Sequence, residues 1–228
     1  MTDALDAATR LYVNDGLSDD EIDRQAALYG PLADDLRALI PLAVQSRVGD
    51  EEVRQAREHL AAARELLARR KDEGPFGTRF NDTGNFRVWG NAVMGLRNAI
   101  APLSCINKDP GGRVWADFHL HAGYEGPAGH THGGVSALVL DQLLGDAARV
   151  GGAPGMTGTL TLRYRKPTPL GDLHGEAKLE RVEGRKAFVT GHISGPDGIC
   201  VEAEGIFIAP REVAEARRAV GRDLPDAR

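Results

Sequence analysis

The sequence predicts an α+β fold in which one long helix packs against a mainly antiparallel sheet. Three observations predict it. The last third of the chain holds strand-like runs at Arg113–Leu120, Met156–Lys166, Asp172–Val182, Lys186–Ser194 and Ile199–Ala209, divided by the turn signals KPTPLGD, EGR and GPDG. A nearly apolar segment, Val135–Val150, lies between the first and second of these and suits a helix of about four turns. A strand, a helix and then an antiparallel series of strands is an arrangement in which a sheet covers one face with a helix.

Upstream, residues 1 to about 72 read as helical throughout. Ser18-Asp-Asp-Glu21 forms a capping box, and Gly30-Pro31 and Pro41 divide the region into short helices. From Asp50 to Lys71, Val53, Ala56, Leu60, Ala63 and Leu67 recur at steps of three and four and make one apolar stripe. Acids at 50–52 and bases at 69–71 suit the helix dipole. The stripe predicts packing against the same domain or a partner subunit. Residues 71–112 are turn-rich and read as a covering segment or lid, or as an edge strand and linker. In VEGRKAFV, Gly184 supplies the positive φ of a hairpin. The domain reading is therefore 1–75 helical extension, 76–112 covering or linking segment, 113–210 the α+β domain, and 211–228 a tail.

Composition excludes several classes. The 228 residues are 42% hydrophobic and 27% charged, as in an ordinary globular protein, and a net charge of −5 leaves no footprint for nucleic acid. No apolar run reaches membrane-spanning length, and MTDALDAATR lacks the basic head and apolar core of a secretion signal. Two cysteines without a spacing pattern, Cys105 and Cys200, point to a reducing, cytoplasmic setting.

The stretch YEGPAGHTHGGVSALVLDQLLG carries the chemistry. The helix has almost no polar face, so a second subunit is expected to cover the side that the sheet leaves open. Asp141 is costly there unless it is solvated, paired or used; the plainer alternative is that Asp141 and Gln142 mark a wet edge. Asp141 follows His132 by nine residues, which places it roughly 13 Å along the axis and half a turn around. It cannot act on a group held at the start of its own helix. It can act on one held at the start of a symmetry-related helix, where the Gly133 and Gly134 amides point outward as an oxyanion hole would.

YEGPAGHTHGGVSALVLD, MTGTLTLRYRKPTPLGD and VEGRKAFV together resemble hotdog-fold acyl-CoA thioesterases of the phenylacetate-pathway and thioesterase-superfamily-member type. The family has an EGPxGxxHGG loop, a long helix with an acid nine residues after the His, and a YKRPxPLG-like strand end. The match runs over about 114–209. It implies a hotdog fold, an antiparallel sheet wrapped around a long central helix, here with a helical N-terminal extension. It also implies roles. Asp141 is the catalytic carboxylate, nucleophile or general base; the Gly133 amide, with Gly134, polarises the thioester carbonyl, and His132 braces that turn. Thr157 positions the attacking water, and Arg163, Arg165 and Arg185 meet the CoA phosphates or pantetheine arm. The implied substrate is an acyl-CoA, with CoA part of the substrate and no other cofactor, and the implied assembly is a dimer or dimer of dimers.

Residue spacing agrees in part. Thr157, Thr159, Thr161, Arg163 and Arg165 share parity and line one strand face unless a bulge intervenes, with Leu160, Leu162 and Tyr164 on the other. Paired arginines suit phosphate, although arginines also decorate solvated strand faces. The 1–72 extension and GNAVMGLRNAIAP lie outside the match, and His130 stands where the family often has an apolar residue.

Rival chemistries are set beside it. His119-x-His121 with Glu125 imitates a cupin metal set, but a cupin needs strands between its two ligand groups. Ser136 lies in the helix start without a G-x-S-x-G elbow. A hotdog dehydratase pairs a catalytic His with its acid, and a non-catalytic acyl-CoA sensor fits the same fold. The residues favour hydrolysis of an acyl-CoA thioester at a site shared by two subunits.

Overall fold

The computed structural model describes residues 12–109, 111–211 and 214. The expected tail at 211–228 and the N-terminal MTDALDAATR lie outside them apart from 211 and 214. The chain divides into two compact units, residues 1–101 and 102–228.

The described residues of the first unit form β1 (Tyr12–Asn14), α1 (Asp19–Gln45) and α2 (Asp50–Ala68), and β1 pairs in parallel with β2 (Thr78–Phe80). The strand at β1 departs from the all-helical expectation, because its partner lies far along the chain and local periodicity cannot register it. Ser18 Oγ accepts from the Glu21 N–H, as a capping residue should. Glu21 instead turns its carboxylate to Arg24 and Gln25, which hold its pKa down to about 2.

Two further expectations are corrected here. Pro31 and Pro41 do not cut the region into short helices; both lie inside the 27-residue α1. Pro31 and Ala27, whose carbonyl loses its helical partner, are both exposed, so water can take the bond that proline removes. The stripe on α2 is not buried by any of the described residues. No residue of α2 is buried, and Val53, Leu60 and Leu67 stay 46%, 47% and 48% exposed.

What holds this unit is the irregular stretch after β2. Trp89 and Val93 are buried, Phe76 stacks on Trp89 at 5.8 Å, and the nearly inaccessible Arg87 guanidinium donates to Asp15 at 2.6 Å. Burial alone raises the Asp15 carboxyl; the hydrogen bonds from Arg87 and the Leu17 amide outweigh it and hold the pKa below its ordinary value.

The second unit is the expected α+β layer. A six-stranded sheet is built from β3 (Asn107–Lys108), β4 (Arg113–Leu120), β5 (Met156–Tyr164), β6 (Gly171–Glu183), β7 (Lys186–Gly195) and β8 (Gly198–Ile208). Its order is β3-β4-β6-β7-β8-β5, antiparallel throughout. Helix α3 (Gly133–Val150) lies against one face. The chain crosses the sheet through α3, so β4 and β5, its flanking strands, sit on opposite sides of the β6-β7-β8 series. Gly184, at φ 57°, closes the β6–β7 hairpin.

The core is the interface between α3 and the sheet. Val139, Leu140, Leu143, Leu144, Ala147 and Ala148 are fully buried against Val114, Leu120, Val189, Ile193, Val201 and Phe207. Each large aliphatic there contributes on the order of 1.5–3 kcal/mol. Room for the helix comes from small residues: a Cβ on Gly175 or Gly205 would fall 2.6 Å from Leu143 and 2.8 Å from Leu144. Ser136 is buried, and its hydroxyl has no partner among the described residues.

Substitutions in the first unit test these forces. Pro31→Ala should raise stability by about 1–3 kcal/mol in thermal or urea unfolding. Leu60→Ser should change it by less than ~0.5 kcal/mol if the stripe is uncovered, and a larger loss would show that something buries it. Asp15→Asn should cost about 3–5 kcal/mol, because the buried Arg87 charge loses its partner. A carboxyl with a lowered folded pKa stabilises above its unfolded value near 4, and that contribution should fade as the pH falls further.

Candidate active site

The site grows from the loop that starts α3. His121 Nδ1 accepts from Gly123 N–H and caps a single 3₁₀ turn at Ala122–Tyr124. The chain then doubles back: Gly126 N–H donates to the His130 carbonyl and His132 N–H to the Tyr124 carbonyl, both at 2.9 Å. Gly126 passes so close to His132 that a Cβ would lie 2.7 Å from its Cα, so the glycine of EGP is a steric necessity. Thr131 ties the loop to the segment after β5, its amide donating to the Thr168 carbonyl and its hydroxyl to the Pro169 carbonyl. The EGPAGHTHGG and KPTPLG stretches thus form one hydrogen-bonded unit.

That unit presents the helix start. His132 is the N-cap, its Nδ1 accepting from Gly134 N–H at 3.0 Å, which places the proton of a neutral ring on Nε2. The Gly134 amide is therefore committed to His132. The Gly133 amide donates to no group among the described residues and lies at the positive end of the α3 dipole. A side chain at 133 would meet Tyr164, with a Cβ 3.2 Å from its Oη.

Asp141 lies two turns further along α3 and is half-exposed. Thr157 Oγ1 donates to its Oδ1 at 2.8 Å. A bulge at Gly158 makes this contact and corrects the single-face expectation for β5. Thr159, Thr161 and Arg163 pair opposite Ile206, Glu204 and Glu202, but the register shifts between Thr157 and Thr159, and Thr157 falls opposite Phe207. Phe207 is buried on the helix side, so the bulge turns Thr157 toward α3 and away from its parity partners. A Cβ at Gly158 would lie 2.7 Å from Ile208 Cδ1, so the glycine lets Ile208 keep its place beside the bulge.

The three arginines are not gathered in one place. Arg163 and Arg165 lie at the end of β5 nearest the helix start, and Arg165 is already paired with Glu202 at 2.6 Å. Arg185 donates to the Ala209 carbonyl beside the Met156 end. Strand geometry separates the two ends by roughly 27 Å.

The rival histidines are scattered as well. His119 Nδ1 bonds to Asp172 on the sheet face away from α3, and Glu125 accepts from the Gly129 amide. His130 bonds to the Ala128 carbonyl. No group of three His, Cys, Asp or Glu among the described residues is placed to hold a metal ion.

Two residues of this neighbourhood escaped the sequence reading. Asp146, not Asp141, is the most buried acid of α3; it is 6% exposed and accepts from Gln142 and Arg149 one turn to either side. Its i+3 arginine was a legible signal. Tyr164 sits on the helix side of β5, as its parity indicates, but its 2.8 Å bond to the Gly133 carbonyl depends on tertiary packing.

Comparison with known proteins identifies the family and the fold. The family model described as thioesterase superfamily matches residues 128–201. A stretch of 89 residues, 37% of this chain, is 40% identical to acyl-coenzyme A thioesterase THEM4 of Xenopus laevis, and 87 residues are 36% identical to the Mus musculus protein of that name. These stretches span 39% and 37% of the two relatives. The crystal structure of a thioesterase superfamily protein is 32% identical, covers 87% of this chain and 98% of its own, and superposes with a TM-score of 0.69. With the six-stranded sheet, its central helix and a relative matched over nearly its whole length, the chain belongs to the thioesterase superfamily and has its hotdog fold.

Proposed function

We propose that this protein hydrolyses an acyl-CoA thioester to the free acid and CoA, with each site completed by two subunits. The observation that carries the reading is the Thr157–Asp141 hydrogen bond, which orients a carboxylate beside the partly open apolar residues Val135 and Leu138. An oriented carboxylate is what activation of water requires.

Two features support a shared site. Asp141 and Gly133 are eight residues apart on one helix, about 12 Å, so the carboxylate of one protomer does not reach a carbonyl held by its own Gly133 amide. The side of α3 bearing Val135, Leu138 and Asp141 is partly open, and neighbouring β5 is the sheet's edge strand, with Met156 72% and Tyr164 53% exposed. A second copy placed against that edge covers apolar surface and brings its helix start to Asp141.

The chemistry follows. The thioester oxygen accepts from the Gly133 N–H, which stabilises the negative charge that develops as the carbonyl carbon becomes tetrahedral. Asp141 either takes a proton from the water that adds to that carbon, or adds to it itself, in which case expulsion of the thiolate leaves an anhydride that water then opens. Collapse breaks the carbon–sulfur bond, and CoA leaves as a thiolate that takes up the proton. A thiol is acidic enough to leave without a strong general acid. His132 does not transfer protons in this scheme; its Nδ1 is engaged in capping. Arg163, Arg165 and Arg185 are the proposed contacts to CoA, drawn from both subunits because one protomer separates them. Two free cysteines, Cys105 exposed and Cys200 buried, fit the cytoplasmic setting proposed with this activity.

Thiol release from short, long and aromatic acyl-CoAs tests the reading. Asp141→Asn should lose at least two orders of magnitude in kcat with CoA binding intact, and near wild-type turnover would sink the mechanism. Thr157→Val should lower kcat roughly tenfold, with Thr157→Ser restoring most of it. Arg185→Ala should raise KM several-fold at constant kcat; an unchanged KM removes it from the CoA contacts. CoA binding without thiol release from any acyl-CoA would identify a sensor instead.

A further inference from the structure

We infer that Tyr164 is a positioning residue for the Gly133 amide, acting through the peptide that follows it. This deepens the hydrolase reading and rests on it.

The Tyr164 hydroxyl donates to the Gly133 carbonyl at 2.8 Å. That carbonyl already belongs to the first turn of α3, where it serves an amide one turn on. The phenol is therefore a second donor to a satisfied acceptor, and the helix does not need it. Nor does packing within one chain call for the hydroxyl, since Tyr164 is 53% exposed there, on an edge strand.

What the bond does is fix a peptide plane. The Gly133–Gly134 peptide is pinned at both ends: its carbonyl by Tyr164 Oη, its N–H by His132 Nδ1 at 3.0 Å. Donation to the carbonyl polarises the amide and strengthens its bond to the imidazole, so the two contacts support each other. The peptide just before carries the outward Gly133 N–H. Two adjacent glycines leave this helix start with unusual torsional freedom, and an unpinned plane lets the Gly133 N–H swing away from a substrate oxygen. The ring adds a steric stop, lying 3.2–3.4 Å from where a Gly133 Cβ would stand. Gly133 thus lacks a side chain so that the tyrosine ring can lie against it.

The sequence places this clamp economically. Tyr164 ends β5, and Thr168 and Pro169, which hold Thr131, follow within five residues. One strand end fixes the loop before the helix start and the peptide just after it.

The test uses the full-length protein and Tyr164→Phe. Wild type and variant are compared for kcat and KM in thiol release, for thermal stability, and for affinity toward two uncleavable acyl-CoA analogues. One is a thioether with no carbonyl; the other is a ketone that keeps it. Tyr164→Phe should melt with wild type, lose on the order of tenfold in kcat at constant KM, bind the thioether normally and bind the ketone more weakly. A kcat within twofold of wild type overturns the positioning role, as does equal weakening toward both analogues, which would mean a loosened pocket. Wild type that releases thiol from no acyl-CoA overturns the hydrolase reading itself, a result distinct from either.

Discussion

One extra residue in an edge strand decides whether the carboxylate on α3 has a partner. Without the bulge at Gly158, strict alternation would put Thr157 on the sheet face away from the helix, with Thr159, Thr161 and Arg163. With it, the hydroxyl turns inward and reaches Asp141. The extra position is Gly158, where a Cβ would crowd the end of the Ile208 side chain at 2.7 Å, so a larger residue there requires Ile208 to turn aside. A local packing constraint two residues wide thus links the edge of the sheet to the middle of the helix.

The start of the helix is held by the same logic. His132 uses its side chain to cap Gly134, which commits one of the two glycine amides and leaves that of Gly133 directed outward. The loop before it needs Gly126 for close approach and Thr131 for anchorage to Thr168 and Pro169. Two sequence motifs almost forty residues apart therefore occur together because they are the two halves of one hydrogen-bonded platform. Electrostatic stabilisation of a developing charge depends on donors that need not reorganise, and a platform tied at several points provides that.

The apolar surfaces left open are as informative as those covered. On α3, Leu140, Leu143, Leu144 and Ala147 are spent on the sheet, while Leu138 remains partly exposed beside Asp141. This is the side that the edge strand β5 leaves uncovered. On α2, the whole stripe is exposed and buries nothing among the described residues. Amphipathic periodicity shows that a helix has an apolar face; it does not show what lies against that face.

Much of the second unit was legible in the sequence. The strands expected at 113–120, 172–182 and 186–194, which the structure matches to within a residue at each end, the hairpin at Gly184 and the helix after His132 follow from alternation, turn residues and an uninterrupted apolar run, all of which are local. The residues of the proposed site also stand out in the sequence, because a carboxylate in an apolar helix and glycines at a helix start are anomalies that need a reason. The sequence alone could not decide the strand order, in which β4 and β5 flank the β6–β8 series, or the inward turn of Thr157. It also left open the clamp of Tyr164 on Gly133 and the burial of Asp146 between Gln142 and Arg149. Each of these is a contact between segments whose separation is set by packing. A bulge or a shared carbonyl leaves no periodic mark, so its existence is decided only when helix and sheet are brought together.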